Sequence, residues 1–106
     1  SPEGMASIVL TKEVLERFQA NDQLASLVVS VPGTVEGILA WSMYVEQEDG
    51  TFRVHLRSKG PTVNDIAQEF GGGGHTLACG IPSVMKSQIL EVDAKLKEAV
   101  RNFKKN

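Results

Sequence analysis

A single cysteine, Cys79, stands among the 106 residues, which excludes an internal disulfide and agrees with a reducing compartment, so the cytoplasm is the expected location. A cationic surplus is missing too. Lysine and arginine number 11 against 13 aspartates and glutamates, a net charge of −2 with a pI near 5.6, so the chain is not equipped to hold a long polyanion by releasing counterions. Any phosphate ligand has to be met by a local site. No apolar run approaches the ~18 residues of a membrane span, and the first residues show no basic segment leading into an apolar one, so neither a membrane span nor a signal peptide is read. What is present suffices for one globular domain. Hydrophobic residues make up 42%, enough at this length for a single core that buries roughly two thirds of the unfolded surface.

The apolar pattern switches between strand and helix along the chain. Ala6 to Leu10 is short and β-branched, as a strand is, and Thr11 then offers an N-cap to a helix over Lys12 to Ala20 with Val14, Leu15 and Phe18 on one face. Leu24, Leu27, Val28 and Val31 recur at helical spacing, which predicts a helix ending before Pro32-Gly33 in spite of its β-branched valines. Val35 to Glu46 is almost continuously apolar. Ile38, Ala40 and Tyr44 lie on one side and Leu39, Trp41, Met43 and Val45 on the other, as in a central strand covered on both faces. Asp49-Gly50 marks a turn that needs positive φ, and the strictly alternating segment after it makes this the clearest hairpin. In that second strand Phe52, Val54 and Leu56 point one way and Arg53, His55 and Arg57 the other, giving one cationic face. Thr62 and Asp65 have the spacing of a capping box before a helix with Val63, Ile66, Ala67 and Phe70 on its apolar face, which stops at Gly71. Gly80 to Val84 reads as an edge strand, because Pro82 cannot donate to a ladder. The closing helix, from about Lys86 to Lys104, is expected to bury Ile89, Val92, Leu96, Ala99 and Phe103.

The least ordinary segment is Gly71-Gly72-Gly73-Gly74-His75-Thr76-Leu77-Ala78-Cys79-Gly80. Four consecutive glycines are costly to order, and a flexible linker has no place between a capped helix and another packed segment. Bare backbone lets amide N–H groups converge on an anion and lets a ligand approach without Cβ interference, with His75 alongside as a donor. A close-packed turn would use the glycines equally well, and both readings stand at this point. The carboxyl end of the preceding helix repels phosphate, so attraction has to come from the loop amides, from His75 or from a short helix starting near Thr76. No Gly-Lys-Ser/Thr follows, so the run is not a P-loop, and His75 with Cys79 lacks the two further ligands of a zinc site. Cys79 reads as a small packing residue. The second candidate is Arg57-Ser58-Lys59-Gly60, at the end of the cationic strand. A planar fork of donors, a hydroxyl and a glycine that permits a sharp exit suit a phosphate or a nucleotide, although a solvated strand face would carry basic side chains as readily.

Taken together these segments resemble a known domain. Val35-x-Gly37-Ile38, Glu46, His55-Leu56-Arg57-Ser58-Lys59-Gly60-Pro61, Asn64-x-Ile66-Ala67 and the run from Gly71 to Gly80 are similar to the carboxyl-terminal domain associated with the DHH phosphoesterases. The nearest resemblance is to the branch of oligoribonucleases and 3′-phosphoadenosine 5′-phosphate phosphatases, the nanoRNases. The likeness spans nearly the whole chain, so residues 1–106 are expected to be a single such domain. It implies an α/β fold of the α+β type, a small mixed β-sheet with a central hairpin flanked by about four helices, closing over substrate held against a separate catalytic domain. The substrate-binding residues it implies are Arg57 and Ser58, with Lys59 and His55 beside them, and Gly72, Gly73, Gly74 and His75 in the glycine-rich loop. No catalytic or metal-binding residue is implied within the chain. The Asp-His-His motif and the metal-binding aspartates of these enzymes appear nowhere in it, and two-metal hydrolysis needs a carboxylate-rich cage. Manganese is therefore expected in an amino-terminal DHH catalytic domain as the partner, with short RNA or a nucleotide as substrate and no membrane, and this chain is not expected to hydrolyse phosphoesters alone. Two positions depart from the pattern: His55 stands where relatives often carry Ser or Arg, which leaves the ligand preference open, and Cys79 replaces a usual Ala or Ser. Single-stranded DNA ends or cyclic dinucleotides are alternative substrates. A non-catalytic recognition or assembly module, like the related domains of alanyl-tRNA synthetases, is the alternative of a different class, and Arg57 to Pro61 favours the enzyme.

Overall fold

The computed structural model describes residues 4–17 and 28–105. Five strands, β1 (Met5–Leu10), β2 (Ala40–Glu46), β3 (Phe52–Ser58), β4 (Gly73–His75) and β5 (Ala78–Val84), form one sheet in the order β1-β2-β3-β5-β4. β1 runs parallel to β2 and every other pairing is antiparallel, so the sheet is mixed. Four helices flank it: α1 (Lys12–Arg17), α2 (28–30, tightening into a 3-10 turn at Val31–Thr34), α3 (Asn64–Glu69) and α4 (Ile89–Lys104, entered through a 3-10 turn at Lys86–Gln88). This is the expected α/β architecture.

The β2–β3 hairpin forms where Asp49-Gly50 predicts it. Gly50 N–H donates to Gln47 O at 3.0 Å, Gly50 sits at φ +86°, and Asp49 Oδ1 accepts from Thr51 N–H at 2.9 Å and from its hydroxyl at 2.6 Å. A left-handed glycine at the end of the turn suits the right-handed twist of the strands it joins. Upstream, Val35 to Leu39 does not extend β2 as expected; it turns through Gly37 at φ +93° and enters the sheet only at Ala40.

Side-chain alternation then divides the sheet into two faces. One carries Met5, Ala40, Tyr44, Phe52, Val54, Leu56, Cys79, Ile81 and Val84, and packs with Val63, with Ile66 and Ala67 of α3 and with Val92, Leu96 and Val100 of α4 into the core. The stripe of α4 differs from expectation at its end, where Val100 is buried and Phe103 is 43% exposed. The Phe103 ring instead lies against the turn after β3, so close that a methyl group on Gly60 would come within 2.4 Å of it. A polar net ties α4 to the same face: the Asp93 carboxylate accepts from Ser42 Oγ at 2.7 Å, from Ser7 Oγ at 2.7 Å and from Tyr44 Oη at 2.5 Å.

Two expected starts and edges are corrected. The Thr62–Asp65 capping box does not form, because α3 begins one residue later: Val63 is the N-cap, its carbonyl accepts from Ile66 and Ala67, and its own N–H is tied to Thr76 O at 2.9 Å. Buried Val63, held from across the fold, sets that start. β5 starts earlier than expected, at Ala78, and is internal where β4 pairs with Ala78 to Gly80. From Ile81 to Val84 it pairs with β3 alone among the described residues, the open edge that Pro82 predicts. Pro82 lies beyond the reach of β4, at a register shift against β3, where its missing N–H is tolerated. Thr11 caps α1 as expected, its Oγ1 accepting from Val14 N–H at 3.2 Å, but no residue of α1 is buried. Phe18, Leu24 and Leu27 lie outside the described residues.

The second face is covered unevenly. Trp41 is buried beneath the 28–34 segment, its indole N–H donating to Val29 O and its ring near Gly33. Farther along the sheet, Arg53, His55, Arg57, Ala78, Gly80, Gly73 and His75 share that face by register, and none of them is buried.

Candidate functional site

Two cross-strand rows make the open half of this face. The first runs Trp41, Arg57, Ala78, His75 and the second Met43, His55, Gly80, Gly73, each residue opposite the next across β2, β3, β5 and β4. With strands about 4.8 Å apart, the Arg57 and His75 backbones lie about 10 Å apart. Gly80 and Gly73 present no side chain, so the second row sinks into a trough. His55 stands at its β3 end, and Arg57, Ala78 and His75 form the adjoining wall.

Arg57 is half-buried, and one of its guanidinium nitrogens, Nη1, donates to Leu56 O at 2.9 Å and to Cys79 O at 3.2 Å. Those carbonyls belong to β3 and β5, so the group is braced across the strand boundary. A guanidinium carries five N–H donors, and the two contacts use a single nitrogen. Burial, and then the charges of Arg57 and Arg53, lower the His55 pKa below its ordinary value, which keeps that ring neutral near pH 7. Cys79 lies under the sheet in the core, where burial raises the thiol pKa against the opposing influence of Arg57. Register places Cys79 opposite Gly74 and His75 opposite Ala78, so thiol and imidazole point to different faces.

The glycine run does four different jobs. Gly71, at φ +90°, ends α3 as its N–H donates to Gln68 O and that of Gly72 to Ala67 O, the pair of bonds of a Schellman cap. Gly72 is forced by packing, since a methyl group there would stand 2.0 Å from Gly80 O. Gly74 presses on β5 likewise, with Cys79 Cα 2.8 Å from where its Cβ would be. Gly73 is the exception: a methyl group on it would meet nothing within 4 Å. Its bareness serves no internal contact and opens onto the trough. The run forms an extended hairpin strand, with Thr76-Leu77 as the turn in place of a helix start.

The other expected residues stand apart from the trough. Ser58 alternates to the core face of β3, and its hydroxyl donates to Pro61 O at 2.6 Å and accepts from Gly60 N–H at 3.0 Å, holding the turn at the end of the strand. Lys59 is exposed, and its Nζ donates to Val35 O at 3.1 Å. Three residues outside the expected substrate-binding set, Arg53, Gly80 and Pro82, adjoin the trough, and with His55, Val54 and Ile81 they line a hollow of about 330 Å³. The alternation of β3 already placed Arg53 with His55 and Arg57; the approach of Pro82 depends on strand pairing and had no local signal. A larger hollow, about 510 Å³, opens between β1 and α4, but its acidic wall, Asp93, is engaged by three hydroxyls, and it offers one cation, Lys97. Among the described residues no group of three or more His, Cys, Asp or Glu is placed to hold a metal ion, and no helix is long and apolar enough to cross a membrane.

The family model of the DHHA1 domain matches residues 5–102. The chain belongs to the DHHA1 domain family. This DHHA1 chain is 44% identical over 80 residues to the "Bifunctional oligoribonuclease and PAP phosphatase NrnA" of Bacillus subtilis, covering 76% of the chain and 25% of that protein. It is 37% identical over 98 residues to the "Probable bifunctional oligoribonuclease and PAP phosphatase NrnA" of Streptococcus mutans, covering 92% of the chain and 32% of that protein. The chain thus spans a third or less of the length of these relatives. Among solved structures, an exopolyphosphatase-related protein from Bacteroides fragilis superposes with a TM-score of 0.75 at 26% identity, over 97% of the DHHA1 chain and 30% of its own.

Proposed function

We propose that this DHHA1 chain is the substrate-binding domain of a phosphoesterase that acts on short oligoribonucleotides and 3′-phosphoadenosine 5′-phosphate. The observation that carries this reading is the trough, in which a braced arginine and an exposed histidine flank two side-chain-free residues on an otherwise acidic domain. Such a site holds one phosphate locally: Arg57 supplies charge and directed donors, His75 a further donor, and Gly73 lets the ligand reach the main chain. Ser58 and Lys59 serve it by fixing the strand end that carries Arg57. The names of the relatives support the substrate class, and their greater length supports a partner domain, read as the amino-terminal DHH catalytic domain. Among the described residues no group of carboxylates and imidazoles fits a manganese site, and any divalent metal of the reaction is assigned to that partner.

Titrating the ¹⁵N-labelled chain with 3′-phosphoadenosine 5′-phosphate tests the reading. Amide shifts are expected to centre on Arg57, Gly73, His75 and Gly80 and to be lost in Arg57→Ala. Shifts centred on the α4 face, or none at all, would reject it.

A further inference from the structure

The two edges of the sheet differ. β4 is protected by being short, three residues of which two are glycine, whereas β1 runs for six residues, Met5 to Leu10, without a charged side chain or a proline. Among the described residues β1 pairs with β2 alone, so its outer row of backbone N–H and C=O groups is open. Native edges of that length are normally blunted with lysine, proline or a bulge, because an open, uncharged edge templates another strand. α4 leaves the same edge bare on the core face. It lies over β1 and β2 and runs antiparallel to β1, with Ser7 beside Asp93 and Gly4 beside Val100. Between β1 and α4 opens the hollow of about 510 Å³ that Met5, Ser7, Leu90, Ala94 and Lys97 line. Its surroundings are apolar and uncovered, with Val9 45% and Leu90 82% exposed.

The charges of this groove are self-complementary. Asp93 and Lys97 stand one helical turn apart, and both line it. Lys97 is in no ion pair among the described residues, and the Asp93 carboxylate, which accepts from three hydroxyls, has room for about one donor more. A two-fold axis perpendicular to the sheet beside β1 turns a second copy so that its β1 runs antiparallel to the first β1 and its α4 antiparallel to the first α4. Strands about 4.8 Å apart then set the two helices, each over its own β1 and β2, about 10 Å apart, the spacing of packed helices. The same reversal brings Lys97 of each copy beside Asp93 of the other. We propose that the chain forms a two-fold dimer in which β1 pairs with β1 of a second copy, making one continuous sheet, and the two α4 helices close the hollows between them. Both troughs stay open, since each lies at the β3, β5 and β4 end of its sheet and on the face away from α4. Phosphate binding and dimerisation are thereby independent.

Sedimentation velocity on the whole chain, diluted from about 1 mM to about 1 µM, tests the dimer. Wild type is expected to pass on dilution from twice the 11.5 kDa of one chain to a single chain, with the amide protons of Met5 to Leu10 exchanging more slowly in the dimer. Val9→Lys puts a charge on the open edge and Leu90→Arg puts one between the helices, and each should weaken dimerisation about tenfold or more. Lys97→Glu should do the same by facing Asp93 of the second copy. All three side chains are exposed or half-exposed, and amide spectra confirm the fold of each variant. A chain that stays monomeric at every concentration overturns the proposal and leaves the groove to another domain or protein. A dimer that any of the three variants leaves at wild-type strength places the contact elsewhere on the molecule and overturns it too.

Discussion

Arg57 is bonded to the carbonyls of Leu56 and Cys79, which fixes the guanidinium before any ligand arrives and reduces the entropy lost on binding. In a longer phosphoesterase of the kind proposed above, Arg57→Ala is expected to lower kcat/KM roughly 10- to 150-fold, equivalent to about 1.5–3 kcal/mol for a charge-assisted hydrogen bond. Activity within twofold of wild type would mark Arg57 as a solvated strand residue. Two neighbouring glycines separate packing from binding in the same loop. Gly72→Ala drives a methyl group into the Gly80 carbonyl, so it should lower stability by about 3 kcal/mol and Tm by about 10 °C or more. Gly73→Ala meets nothing, so its Tm should stay within about 3 °C of wild type while ligand affinity falls. Thermal melts of both variants, with one bisphosphate titration each, decide the matter; a Gly73→Ala protein that melts early and binds normally would make the loop structural. His55 adds a pH signature. Its folded pKa lies below the ordinary value of about 6.5, so its contribution to stability is complete above about pH 6.5 and is lost as pH falls through the folded value. The Tm of wild type should therefore drop faster than that of His55→Gln on acidification below about pH 6.5, and parallel profiles would refute the assignment.

At the level of elements, α4 is held to the sheet by apolar packing and by the Asp93 net. Ser42 is fully buried in the middle of β2, an awkward place for a hydroxyl unless an acceptor reaches it, and the carboxylate from α4 does so. Burial first, and then its own hydrogen bond to the Asp93 carboxylate, pushes the Tyr44 hydroxyl far above its usual range, so it stays a donor to Asp93. Asp93→Ala removes the acceptor of three hydroxyls and should cost about 2–4 kcal/mol, read as a lower denaturant midpoint at unchanged slope. A loss below about 0.5 kcal/mol would show that water replaces the carboxylate freely. Nothing in the sequence pointed to this net, since Ser7, Ser42 and Asp93 are far apart in the chain and each is unremarkable in its own segment. Elements set by local rules were legible: the alternation of β3, the Asp49-Gly50 turn, the Thr11 cap and the helical stop at Gly71. Those set by distant contacts were not. Val63 starts α3 because Thr76 holds it, the first three residues of β5 become internal because β4 folds back onto them, and Phe103 leaves the core stripe for Gly60.

On the scale of the whole molecule, α3 and α4 close one sheet face, whereas among the described residues the other is covered over Trp41 of β2 and exposed or half-exposed across β3, β5 and β4. Period-two alternation was enough to put Arg57 and His55 on one face, but only the register of β5 and β4 could bring His75 and Gly73 beside them. The same alternation puts Ser58, the sequence neighbour of Arg57, on the opposite face. The open half carries basic and imidazole groups but no carboxylate among Arg53, His55, Arg57, Ala78, Gly80, Gly73 and His75, so it can attract phosphate and yet cannot assemble the acidic cage that two-metal hydrolysis requires. Binding and chemistry are thereby separable by experiment. The isolated chain, incubated with manganese and a short oligoribonucleotide, is expected to release no mononucleotide above a buffer blank, while the same preparation still shows bisphosphate-induced shifts at Arg57 and Gly73. Release that persists after repurification and is abolished by a chelator would place a metal site within these 106 residues and overturn the division of labour.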